Sequence, residues 1–104
     1  MVNLVVRFAK SFKDQLVGLI GKSIPEPIMF YTRFGIHTFG VKFPIDVIIL
    51  DRNNKAVRIK KSLKQNRIFV WNVKFNKVIE LPSGEVDKKS IVIGKMLKLN
   101  IVDH

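Results

Sequence analysis

His37, Asp46 and Glu80 are the side chains of this sequence whose types could share a proton or an ion. A histidine changes charge near neutral pH. Two carboxylates beside it could act as general acid and base, or join it in holding a divalent metal. The surroundings of the two acids are unusual. Asp46 lies between Ile45 and Val47, and Glu80 between Ile79 and Leu81. Carboxylates in such runs are partly buried and must find donors, because an unpaired buried charge costs several kcal/mol or is neutralised. Two readings of Asp46 follow. It is a structural carboxylate accepting backbone N–H or hydroxyl hydrogen bonds across a loop, or it is a general acid/base or metal ligand. For Glu80 the choice is between an ion pair or hydrogen-bonded turn and a site residue. If His37, Asp46 and Glu80 converge in one pocket, with Lys42 nearby, they form a small-ligand or hydrolytic site. No His-x-x-x-His spacing supports a metal, so no metal and no cofactor are assigned.

Other chemistries find no footing. There is no cysteine, hence no thiol nucleophile. Ser11 suits a helix cap and Ser83 a turn, and no Gly-x-Ser-x-Gly occurs. Gly18, Gly21 and Lys22 lack the rest of a phosphate-binding loop. No residue is assigned as catalytic beyond the three weak candidates.

Charge is the stronger signal. The chain carries a formal net charge of +11. Residues 52–79 hold nine basic side chains (Arg52, Lys55, Arg58, Lys60, Lys61, Lys64, Arg67, Lys74 and Lys77) and no acidic one. A field that lopsided attracts anionic partners, here nucleic acid or an acidic protein. Within the block, residues 67, 69, 71, 73 and 75 read Arg, Phe, Trp, Val, Phe, which share one face if extended. Exposed, that face is a stacking platform for single-stranded nucleic acid. Turned inward, Phe69 and Trp71 are core. The second is expected, because a small β core needs such residues. The lysine fringe also deters strand-to-strand aggregation.

These residues need elements to position them. A chain of 104 residues reads as one domain, 1–104. Absence of cysteine suits a reducing cytoplasm. No apolar leader is expected, and the run from Val47 to Leu50 is far short of a membrane span, so no membrane partner is expected. Alternation marks strands over residues 2–8, 28–31, 45–50, 55–61, 67–73 and 76–81, and a last one with Leu97, Leu99 and Ile101 on one face. Residues 34–39 are extended. Ser11 caps a short helix carrying Phe12, Leu16, Leu19 and Ile20 on one face and ending at Gly21. Pro44 opens the strand 45–50, Asp51-Arg52-Asn53-Asn54 turns the chain, and Pro82-Ser83-Gly84 leads into a helical turn at 85–89. The fold class is mainly β, an antiparallel β-sandwich or distorted barrel of about seven or eight short strands with one short N-terminal helix.

The run His37-Thr-Phe-Gly-Val-Lys-Phe-Pro-Ile-Asp-Val-Ile-Ile-Leu-Asp51 resembles the central signature of the domain-of-unknown-function 192 family. Gly18-Leu19-Ile20-Gly21-Lys22 is similar to that family's early Gly-Leu-Met-x-Arg element. Val78-Ile79-Glu80-Leu81-Pro82-Ser83-Gly84, with the later Ile91-Val92-Ile93-Gly94, is similar to its Val-Leu-Glu-Leu-Pro-Ala-Gly and following elements. The resemblance implies a small mainly-β domain with a helix near its start, and no activity. Val41, Ile20, Lys22 and Lys95 depart from the family pattern, and Lys95 adds positive charge. The expected function is a non-catalytic binding or accessory module using the basic block. The alternatives are the His37–Asp46–Glu80 site and an adaptor with exposed aromatics around Phe39 to Phe43.

Overall fold

Strand β4 (Ile45–Leu50) is buried along its whole length, and the other strands are arranged about it. The structure, a computed structural model, describes residues 1–9, 27–33 and 35–102. Over these residues the chain forms β1 (Val2–Phe8), β2 (Ile28–Tyr31), β3 (Ile36–His37), β4, β5 (Ala56–Leu63), β6 (Ile68–Phe69), β7 (Lys77–Pro82), the short helix α1 (Glu85–Lys88) and β8 (Leu97–Val102). The expected helix from Ser11 to Gly21 lies outside the described residues.

Six strands make one sheet in the order β5-β4-β7-β2-β1-β8, and β3 pairs with β6 in a second, two-stranded sheet. The larger sheet is mixed. β4 runs antiparallel to β5 and β7, and β7 to β2, whereas β1 is parallel to both β2 and β8. The fold is therefore mainly β, as the alternation implies, but neither all-antiparallel nor a closed barrel. Alternation assigns each residue to a face and is silent on partners. A parallel pair needs a crossover rather than a turn, so no turn residue announces it.

Being central, β4 has a core on each side, which explains its unbroken apolar run. Ile45, Val47 and Ile49 pack with Ile28, Phe30, Val78, Ile36, Phe69 and Trp71. Ile48 and Leu50 pack on the other side with Leu4, Val6, Ile79, Leu81, Val86 and Ile91. The small sheet covers the first face, and α1 with the residues after it covers the second.

Edge strand β5 departs from regular pairing twice. Ile49 faces Arg58 while Leu50 faces Ala56, and Val47 faces Lys60 while Ile45 faces Leu63. In each interval β5 has one residue more than β4, the mark of a β-bulge. The first bulge puts Val57 against the β3–β6 side of the core, while Ile59 packs on the α1 side.

The extended segment expected over 67–73 is only two residues long as a strand. Asn72 ends it. Its side-chain Oδ1 accepts the N–H of Lys74 at 3.0 Å, and its carbonyl that of Phe75 at 3.0 Å, so the chain turns. Phe69 and Trp71 nonetheless face inward, 6% and 7% exposed, and the Trp71 indole N–H donates to the Phe75 carbonyl at 2.8 Å. They offer no external stacking platform.

Candidate functional site

The carboxylate of Asp46 ties two loops together. Its Oδ1 accepts the N–H of Ser62 at 2.9 Å, and its Oδ2 those of Gly84 at 3.0 Å and Val86 at 2.9 Å. Ser62 belongs to the second bulge of β5 and has φ 51°, so its N–H is spared from the ladder. Gly84 is the N-cap of α1 and Val86 its second residue. Beside this clasp the Ser62 and Ser83 hydroxyls are 2.6 Å apart, and Lys61 Nζ lies 2.6 Å from the Asp87 carboxylate. Asp46 is thus the loop-bridging acceptor that a carboxylate buried to 1% exposure requires.

Glu80 does not join it. It is equally buried on β7, opposite Val47, and leaves the sheet on the side of the β3–β6 pair. Asp46, opposite Leu81, leaves it on the α1 side. His37 is half-buried on β3, with its Nδ1 accepting the Phe39 N–H at 3.3 Å. The structure therefore does not bring His37, Asp46 and Glu80 together as a set. Among the described residues, no three of His, Asp and Glu stand close enough to share a metal ion. The aromatic patch expected around Phe39 to Phe43 does not form either. Phe39 is exposed, but Val41 is buried and Phe43 packs against the core.

The nine cations fall into groups set by the strands. Arg52, Lys55, Lys74 and Lys77 line one cleft of about 680 Å³ at the end of the sheet where β4 stops and β7 starts. Arg33, just past β2, completes its cationic lining, and Leu50, Val57 and Phe75 supply the apolar part. Lys64 and Arg67 sit at the far end of β5, where they line a second, shallower depression of about 370 Å³ with Lys42. Arg58 and Lys60 lie between the two ends. Their partners Ile49 and Val47 put both on the β3–β6 face, and the Arg58 guanidinium stands 5.1 Å from the Phe69 ring centroid. Lys61 is apart from the rest, held on the α1 side by Asp87.

Local hydrogen bonds shape both ends. In the cleft, Asp51 Oδ1 accepts the N–H of Asn53 at 2.8 Å and of Lys55 at 3.0 Å, an Asx turn closing the β4–β5 connection. The Lys55 N–H holds the Asp51 carboxyl below its ordinary pKa, more than burial raises it. Arg33 Nη1 donates to the Val73 carbonyl at 3.1 Å, and Lys77 Nζ to Asn54 Oδ1 at 2.6 Å. At the other end, buried Thr38 accepts the Arg67 N–H at 2.9 Å through its hydroxyl and donates that hydroxyl to the Lys64 carbonyl. The sequence reading missed Arg33 and Thr38, and it placed Phe75 on the 67–75 face rather than in a cleft. Arg33 lies outside the acid-free block, Phe75 looks like core, and Thr38 carries no pattern beyond its place beside His37. Nothing in the order of residues sets Arg33 next to Val73.

Comparison with known proteins gives a family and a fold. Residues 2–99 match DUF192, a family described as an uncharacterized ACR. The chain belongs to the DUF192 family. No curated protein matches the sequence. A crystal structure of a protein of unknown function from Novosphingobium aromaticivorans DSM 12444 is similar at TM-score 0.71 and 15% identity, over 86% of this chain and 70% of that one. Another, from Sinorhizobium meliloti 1021 and described as a proposed transcription regulator, is similar at TM-score 0.68 and 14% identity, over 86% and 76% of the two chains. At such identities the likeness is one of fold. No described helix is long and apolar enough to cross a membrane.

Proposed function

We propose that the protein is a non-catalytic binding module that takes a nucleic acid through its basic surface. One observation carries this reading. β5 is an edge strand running from the cleft cations at Lys55 to the turn cations at Lys64, with Arg58 and Lys60 on one face between them. At about 3.3 Å per residue, that makes a cationic track on the order of 25–30 Å long. A track of that length suits a polyanionic backbone. Because Phe69 and Trp71 are buried, contact is to phosphates rather than by base stacking. One fold neighbour is described as a proposed transcription regulator, which agrees with this partner class. The absence of cysteine suits a cytoplasmic setting.

The reading is tested by fluorescence anisotropy with a labelled single-stranded oligonucleotide at increasing salt. Affinity falls steeply, with a log–log slope of about −0.7 per neutralised phosphate. Lys60→Glu, Lys64→Glu and Arg67→Glu combined weaken binding at least tenfold and flatten the slope by about 2. Lys61→Glu, on the other side of the sheet, does much less. Trp71 fluorescence checks that each variant is folded. Affinity indifferent to salt and to the triple reversal removes the proposal.

A further inference from the structure

The cleft at the end of β4 has more definition than a charged surface needs. Among the described residues five cations line it, Arg33, Arg52, Lys55, Lys74 and Lys77, against one carboxylate, Asp51. They come from three separate connections: the residues after β2, the β4–β5 turn and the approach to β7. Arg33 and Lys77 are each fixed by a hydrogen bond, to Val73 and Asn54. Asp51 is the one group that would repel an anion, yet its Oδ1 is turned into its own loop by the Asn53 and Lys55 N–H groups. The rest of the lining is partly apolar, with Leu50, Val57 and the half-buried Phe75. The Lys74 ammonium stands 5.8 Å from the Phe75 ring centroid, so charge and apolar face adjoin. The volume of about 680 Å³ is within the range of small-molecule sites.

We infer that this cleft binds a small molecule carrying two linked phosphates and a planar organic group, the phosphates among the five cations and the organic group against Phe75 and Val57. Charge selects the diphosphate. A single phosphate ester brings about two negative charges and leaves half of the cleft's excess unmatched, whereas two linked phosphates come close to it. The fixed Arg33 guanidinium presents paired donors to phosphate oxygens, and the lysines act as point charges around them. The inference rests on the reading of this surface as anion-binding, but it assigns the cleft its own ligand. The phosphates of a nucleic-acid backbone share this chemistry, so the experiment must separate the two sources.

Isothermal titration of the full chain with ADP, pyrophosphate and adenosine does so, with the labelled oligonucleotide measured in parallel. ADP binds tightest, pyrophosphate several-fold weaker, and adenosine weakest. Arg33→Ala lowers ADP affinity at least fivefold. Phe75→Leu, which preserves core volume better than alanine, narrows the gap between ADP and pyrophosphate. Arg67→Ala, outside the cleft, leaves ADP affinity within twofold while weakening the oligonucleotide. Equal loss of ADP from Arg33→Ala and Arg67→Ala, or ADP no tighter than adenosine, overturns the inference. If ADP fails while salt-dependent oligonucleotide binding persists, the cleft assignment falls and the track remains. If ADP binds in the cleft and the oligonucleotide does not bind, the track falls and the cleft remains.

Discussion

Asp46 and Glu80 stand one register step apart on the adjacent central strands β4 and β7, and their side chains leave the sheet on opposite faces. Two carboxylates so close in the chain's pairing cannot pass a proton between them or clasp one ion, because the sheet itself lies between. The consequence for function is direct. Acid–base chemistry built on both acids has no common site, and residues 52–79 give the described surface a predominantly cationic character.

Asp46 supports the fold from the α1 side. Replacing it with alanine removes the acceptor of the Ser62, Gly84 and Val86 N–H groups; the Val86 donor is stranded in a buried place, the other two in part-buried ones. A stranded buried donor costs about 1–3 kcal/mol, and losses at one carboxylate do not add fully, so Asp46→Ala is expected to cost about 3 kcal/mol. Asp46→Asn keeps one acceptor oxygen and costs about half as much. Urea unfolding followed by Trp71 emission measures this as a lower midpoint with an unchanged slope. A midpoint for Asp46→Ala equal to that of the parent protein contradicts the bridging role.

Two charged groups, half-buried Asp51 and exposed Lys61, give opposite pH dependences. The Lys55 N–H lowers the Asp51 pKa from the ordinary 3.8. A depressed acid contributes stability that is full above its unfolded pKa and is lost as pH falls through the folded value. That contribution therefore disappears on acidification below pH 3.8. The Asp87 hydrogen bond raises the Lys61 pKa above 10.5. A raised base contributes fully below its unfolded pKa and is lost as pH rises through the folded value, so this loss occurs above pH 10.5. Thermal melts across the pH range show Asp51→Asn flattening the acid limb, and Asp87→Asn flattening the alkaline limb. An acid limb unchanged by Asp51→Asn, or an alkaline limb unchanged by Asp87→Asn, refutes the assignment.

Much of this was legible from residue order. Strands 2–8, 28–31, 45–50 and the last one are marked by alternation or by apolar runs between turn residues, and the structure has β1, β2, β4 and β8 there. A buried Asp46 demanded donors, and it has three. Phe69 and Trp71 were better used as core than as platform, and they are core. What stayed hidden depends on long-range pairing. The parallel contacts of β1 join it to strands from both halves of the chain. The bulge at Val57 splits it from Ile59 although both fit one alternation. The cleft needs Arg33 beside Lys74, and only the β2–β7 pairing brings them together.

The small sheet depends on Gly35 in the same long-range way. Gly35 has φ 147°, a conformation side chains avoid, and a Cβ there would stand 2.7 Å from the Phe69 carbonyl oxygen. That oxygen is backbone, so it cannot swing aside. Gly84 provides the control. Its φ is 94°, but nothing lies within 4 Å of an added Cβ. Gly84→Ala thus meets backbone strain alone, at about 1 kcal/mol, whereas Gly35→Ala meets strain and collision together, at about 2–4 kcal/mol. The two also differ in what moves. Gly35→Ala pushes β3 from β6, and Trp71, two residues beyond Phe69 and the only tryptophan, gains access to water. Its emission shifts to the red and acrylamide quenches it more readily before global unfolding begins. Gly84→Ala leaves that signal unchanged, because α1 lies across the sheet from Trp71. Identical quenching in the two variants would mean that the β3–β6 pair tolerates a side chain at Gly35.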